Sequence, residues 1–287
     1  MDTKAFRYFN AVYEEGNIHE AARKLFISPQ GLGKIIKTLE SEFNTTFFIR
    51  SKTGIVPTES GVEFYRWSKE FSDRLNIVQD KIREIEASRL SLRVAIANGT
   101  AKAYDMKRFE EFLSFDDNID VQILEYENRE LIERLLSSEV DIGLVIGKSQ
   151  DKRISQSLNL SLPLGMLVYK GHPFFERESL NIADLKNEDL ISMNENFKIY
   201  HILKEACLAE GFEPNIKMVA ADSETLNRFC EKKMGLAFTP EFLELNISDT
   251  RFIPFENKGM TWDIYLTWLK DKENMSAIKA FRKKFEV

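Results

Sequence analysis

Apolar residues in the first 60 positions recur at helical spacing in successive blocks. Phe6, Phe9, Val12 and Tyr13 share one face of a segment from Thr3 to Glu15, which Gly16 is placed to stop. The next run, NIHEAARKLFISPQGLGKIIKTLE from Asn17 to Glu40, predicts two short helices joined by a tight turn. Asn17 is the expected cap of the first, with Glu20 at the third helical position as its reciprocal partner. Ser28 is the expected cap of the second, with Pro29 at the first position, where a missing N–H costs nothing. Leu32, Ile36 and Leu39 then fall on one face, and Gln30, Gly33, Lys34 and Lys37 on the other. The second helix can thus pack on one side and present polar, small and basic groups on the other. Asn44 suits the left-handed closure of that helix, and strands are expected at Thr45–Ile49 and Ile55–Thr58 around a turn at Ser51–Gly54. Three helices and a hairpin make a winged helix-turn-helix over residues 1–60.

Residues 59–86 predict one long charged helix without proline, a linker and dimerisation helix spanning 61–88 as a domain. Phe64, Phe71, Val78 and Ile85 recur every seven residues, with Leu75 and Ile82 between them and Ser68 interrupting that second row. This is a heptad seam for a second copy, or else an amphipathic face packed on its own chain. From Leu90 the pattern changes to alternating strands and helices, a first set through DIGLVIG and a second beginning at Gly165–Tyr169. Such an order implies an α/β fold with a mostly parallel sheet covered on both faces. The region 89–287 is expected to form two lobes, one of about 89–161 with 267–287 and one of about 162–266.

Charge adds a distinction that the pattern lacks. Residues 1–60 carry 8 Lys/Arg against 7 Asp/Glu, 61–90 carry 6 of each, and the remainder carries 26 against 33. An acidic body with a near-neutral end argues against nonspecific coating of nucleic acid or membrane, but it permits a docked module with a few aimed cations. No apolar run approaches the roughly 20 residues of a membrane span, and the N-terminus lacks signal-peptide order, so the cytoplasm is expected. Cys207 and Cys230 cannot form a disulfide framework, and the scattered His19, His172 and His201 have no partners at ligand or catalytic spacing. No metal, cofactor or catalytic set is expected.

Ala21, Ala22, Leu25 and Ser28, then Ile36, Leu39 and Glu40, then Phe47, Phe48 and Arg50, then Thr58, Glu59 and Gly61 follow a known order. In these positions the chain resembles a LysR-type transcriptional regulator, tightly over about 65 residues and in layout beyond them, where His172–Pro173 and GLAFTP match. It departs from the family in having Pro29–Gln30 for the usual Gln-Pro, Gly33 for Ser, and Asn44 for Gly. The resemblance implies a winged helix-turn-helix, a linker helix and a two-lobed effector domain like that of periplasmic binding proteins. It implies double-stranded DNA, a small-molecule effector, self-association as dimer or tetramer, and RNA polymerase as partners. DNA contacts are then expected from Ser28, Pro29, Gln30, Gly33, Lys34 and Lys37 on the recognition helix and from Arg50 and Lys52 at the wing, while Thr58 either caps the next helix or touches phosphate.

In open α/β sheets, ligands bind beyond the carboxyl ends of strands, where helix N-termini offer free N–H groups. Asn98, Gly99 and Thr100, then Asn128, and in the second lobe Asn194, Phe197 and Asp222 stand at such junctions. Thr100 and Asn128 match positions that contact effector in the resembling family, although either also serves as a cap. Glu125, Glu127 and Asp222 near these loops disfavour a strongly anionic effector. The two cysteines, despite peroxide-sensing members of that family, read as buried structural thiols. Two other classes stand beside a regulator: a winged helix that binds protein, and an α/β enzyme for which no nucleophile, metal set or phosphate loop is placeable.

Overall fold

The computed structural model describes residues 3–51, 54–86, 89–242, 249–257 and 259–286, and divides into two compact units, 1–86 and 87–287. In the first unit, helices α1 (Lys4–Glu15), α2 (Ile18–Lys24) and α3 (Pro29–Glu42) precede a hairpin of β1 (Phe48–Ser51) and β2 (Gly54–Pro57), and α4 (Glu59–Glu86) follows. Gly16 ends α1 in the left-handed region, and Asn44 closes α3 in the same way at φ 49°. Asn17 caps α2 by accepting from the His19 and Glu20 amides. The reciprocal arm expected from Glu20 is absent from the cap, because its carboxylate pairs with Arg23 at 2.5 Å. Phe6, Phe9, Phe47 and Phe64 stack and tilt against one another as the aromatic centre of this unit.

Phe64 therefore leaves the expected dimer seam. It is buried in the core of its own unit, where α1 and the wing offer it three rings. Ser68, which interrupts the seam, is also buried, and its hydroxyl donates to Asn10 of α1. Further along α4 the stripe emerges: Phe71, Val78, Ile82 and Ile85 are exposed, and Leu75 is partly so. The first turns of α4 bury Phe64 and Ser68 against the winged helix, while the face that carries Phe71, Val78, Ile82 and Ile85 stays exposed.

The second unit begins with β3 (Leu90–Ala97), α5 (Met106–Leu113), β4 (Ile119–Tyr126), α6 (Asn128–Leu136), β5 (Ile142–Ile146) and the sixteen-residue β6 (Ile154–Tyr169). It continues through β7 (Leu190–Met193), α7 (Lys198–Ala209), β8 (Ile216–Ala220), α8 (Ser223–Glu231), β9 (Leu236–Pro240) and β10 (Thr250–Pro254). It closes with β11 (Thr261–Leu269) and α9 (Ser276–Phe285). The strand order is β4-β3-β5-β11-β6-β9-β7-β8, with β10 on β6. The sheet is more mixed than expected: β3 runs parallel to β4 and β5, and β7 to β8 and β9, while β6 and β11 pair antiparallel. β6 joins the lobes, pairing with β11 up to Pro163 and with β9 and β10 from Leu164 onward. β11 pairs with β6 from Thr261 and with β5 from Ile264. The helix expected after β3 is two pieces, a 3-10 turn at Thr100–Ala103 and α5, separated by extended Tyr104 and capped anew by Asp105. Among the described residues no helix is long and apolar enough to cross a membrane.

At the first lobe's far end, Asp141 is buried beside Lys272, whose amine is wholly inaccessible at 3.2 Å. The same carboxylate accepts from the Arg93 backbone at 3.0 Å and from its guanidinium at 2.8 and 2.9 Å. Burial works to raise the Asp141 pKa, but the Arg93 hydrogen bond and the charges of Lys272 and Arg93 together hold it below the ordinary value. Its contribution to stability is therefore full above the unfolded carboxylate range and is lost as pH falls through the lower folded value. Asp141→Asn removes the buried carboxylate charge that Lys272 and Arg93 face and is expected to cost about 3–5 kcal/mol at neutral pH. Urea titrations should show the gap between the two proteins narrowing below about pH 4. A constant gap down to strongly acidic pH contradicts this account.

Candidate functional site

On α3, geometry follows the expected division. The Ser28 hydroxyl accepts from the Gly31 amide at 3.0 Å, Pro29 opens the helix, and Leu32, Ile36 and Leu39 are buried at 0, 6 and 2 % exposure. Gln30, Lys34 and Lys37 are exposed on the opposite side, with Gly33 partly covered among them. Glu40 has a role that its spacing did not reveal: its carboxylate accepts from the Phe47 and Phe48 amides at 2.8 and 3.2 Å, fixing the wing to the end of α3. Thr58 is committed structurally. Its hydroxyl donates to the Thr46 carbonyl at 2.7 Å and accepts from the Gly61 amide at 3.0 Å, capping α4, so its proton is already engaged rather than aimed at phosphate. Gly61 is obligatory beside it, because a Cβ there would stand 2.2 Å from the Phe47 carbonyl oxygen. Arg50 lies on β1, with only its backbone described, and Lys52 falls outside the described residues. The turn between α2 and α3 is made by Phe26 at φ 56°, whose side chain is 95 % exposed.

In the second unit a cavity of about 500 Å³ lies where the carboxyl ends of β3 and β9 meet the start of α8. Asn98, Gly99, Phe197 and Asp222 line it, as expected. Three other residues do not. The Thr100 hydroxyl is wholly buried and has no hydrogen-bond partner among the described residues. Asn128 is locked to the end of β5, accepting from the Ile146 amide at 2.8 Å and donating to its carbonyl at 3.1 Å. Asn194 closes a turn by accepting from the Asn196 amide at 3.0 Å.

The remaining walls are apolar and aromatic, among them Met193, Leu226, Phe238, Phe242 and Trp262. Lys102 reaches from the first lobe to the Ser223 hydroxyl of the second at 2.6 Å. Lys198 crosses in the other direction, donating to the Ile146 carbonyl at 3.3 Å, and burial of its amine lowers its pKa. Asp222 caps α8. The Thr225 amide and hydroxyl hydrogen bonds, with Lys102 nearby, keep its carboxyl below the usual range, and hence ionised.

Residues 3–62 match the family described as bacterial regulatory helix-turn-helix protein, lysR family, and residues 86–286 match the LysR substrate binding domain. The chain belongs to the LysR family. It is a DNA-binding transcriptional regulator with an effector-binding domain, not an enzyme. It is similar to the regulator AlsR of Bacillus subtilis, 24 % identical over 84 % of this chain and 80 % of that one. It also resembles the RuBisCO operon transcriptional regulator of Allochromatium vinosum, 23 % identical over 98 % and 94 %. Among solved structures it shares the fold of full-length BenM, with a TM-score of 0.62 and 19 % identity over 99 % of this chain and 95 % of that one. It likewise shares that of full-length CbnR in complex with its target DNA, with a TM-score of 0.58 and 19 % identity over 99 % and 98 %. LysR regulators bind DNA and small-molecule effectors and form oligomers.

Pattern reading missed Thr239, Pro240 and Trp262 in the cavity wall. Thr239 and Pro240 stand at the carboxyl end of β9, the kind of strand end beyond which ligands gather. Trp262 stands at the beginning of β11, which reaches the same edge only because it runs antiparallel to β5. Cys207 and Cys230 are buried, and burial pushes their thiols up to about 11 and about 12, away from reactive thiolate.

A Cβ at Gly33 would meet nothing closer than the Ile18 methyl at 3.5 Å, an ordinary contact. Gly33→Ala is therefore expected to stabilise the first unit by about 0.5–1 kcal/mol through the entropy of the unfolded chain. If α3 needs close backbone approach to the groove at Gly33, DNA affinity should fall in the same variant. Thermal melting and mobility shifts measure the two separately; a lowered melting temperature would refute the packing argument.

Proposed function

We propose that α3 enters the major groove of a roughly palindromic site, with Gln30, Lys34 and Lys37 facing bases and phosphates and Arg50 and Lys52 of the wing on the backbone. The observation that carries this reading is the exposure of Gln30, Lys34 and Lys37 on a helix whose other face is clamped by Leu32, Ile36 and Leu39. Ser28 and Pro29 set where that helix starts, so they position the contacts. Two copies associate through the exposed later part of α4. A groove lined by Phe43, Trp67 and Phe71 continues that stripe at the winged helix and suits the second copy. An effector in the cavity of the second unit favours one arrangement of the lobes and shifts the population of DNA-bound states, and with it contact to RNA polymerase. The regulator works in the cytoplasm, where its DNA lies.

Two experiments test this. Mobility shifts on the DNA upstream of the protein's own coding region should weaken steeply with salt, and Lys34→Ala should flatten the log–log slope by about 1. An unchanged slope with unchanged affinity removes Lys34 from the interface. In sedimentation, Val78→Asp and Ile85→Asp should yield monomers that melt like the parent unit. Phe64→Ala should instead lower stability by about 3–5 kcal/mol, because it empties a core position.

A further inference from the structure

The charges around the cavity are unbalanced. Among its described lining residues, one cation, Lys102, faces two carboxylates, Glu125 and Asp222. Lys102 is already held by Ser223 at 2.6 Å and lies close enough to Asp222 to bias its ionisation. Asp222 also occupies the N-terminus of α8, where an incoming anion would otherwise find free amides. Glu125 is left with a single 3.4 Å contact from the Gly99 amide, and no cation stands within ion-pair distance of it among the described residues. The walls beside these groups include Phe197, Phe238, Phe242 and Trp262, an aromatic lining suited to an apolar body.

From this we infer that the effector is a small amphiphilic cation, with an apolar, preferably aromatic body and an amine or guanidinium head set against Glu125, and that carboxylates and phosphates are disfavoured. The inference rests on the proposal that this cavity is the effector site, and it specifies the chemistry admitted there. At the start of α8 a carboxylate head would meet Asp222, with Glu125 also on the cavity wall and only an engaged lysine to offset them, and the anion anchor of that helix is taken by the Asp222 cap.

Three probes of nearly equal size separate the possibilities: phenylpropylamine, phenylpropanol and phenylpropanoate, titrated calorimetrically into the full-length protein. The amine should bind about tenfold more tightly than the carboxylate, the effect of one charge-assisted contact, with the alcohol between them. Glu125→Gln, at an exposed position, should erase most of that preference while leaving the alcohol's affinity unchanged. Ala221→Phe, which adds bulk at an exposed lining residue, should weaken all three. Equal or tighter binding of the carboxylate, still weakened by Ala221→Phe, would overturn the cationic assignment and leave the cavity as the effector site. No binding of any probe would also overturn the assignment. Binding indifferent to Ala221→Phe would remove the cavity itself from the effector reading.

Discussion

Three side chains on one short helix carry the constraint on which the DNA-binding unit depends. Leu32, Ile36 and Leu39 are almost wholly removed from water, each contributing on the order of 1.5–3 kcal/mol by burial. That anchoring fixes the rotation of α3 about its axis. A helix with two glycines in its first turns, Gly31 and Gly33, has little intrinsic preference to persist. It is held from outside by Ser28 at its start, by α1 and α2 beneath it, and by Glu40 tying its end to the wing. The orientation of Gln30, Lys34 and Lys37 is a by-product of what lies on the other side.

How far the chain could be read before its structure depended on whether a signal was local. The helix caps at Asn17 and Ser28, the left-handed stop at Asn44 and the amphipathic face of α3 are written within a few residues of where they act, and they appear where expected. The seam on α4 was half legible. Periodicity places Phe64 in line with Phe71 and Val78, but only the fold tells that Phe6, Phe9 and Phe47 claim it first. Asn128 shows the same limit in the effector domain. A polar residue at the start of a helix after a strand marks the right neighbourhood, yet its amide is consumed by Ile146, eighteen residues away. Long-range pairing decided against the local reading in both places.

The cavity is similar. Asn98, Gly99, Phe197 and Asp222 were reachable by the rule that ligands gather beyond strand ends. Lys102 and Trp262 were not, since each depends on an element running against the parallel pattern or breaking a helix that the sequence would continue. Lys102 sits in the 3-10 turn that interrupts the helix expected after β3, and that interruption aims it at Ser223.

The placement of β11 between β5 and β6 has a consequence for how this polypeptide matures on the ribosome. The winged helix and the inserted lobe are complete in sequence before residue 261 is synthesised, whereas the first lobe must wait with a gap in its sheet for a strand from the last tenth of the chain. A nascent or prematurely terminated product thus carries its DNA-reading head without a finished sensor. The sensor's two unpaired strand edges expose it to proteolysis and aggregation until the final segment emerges.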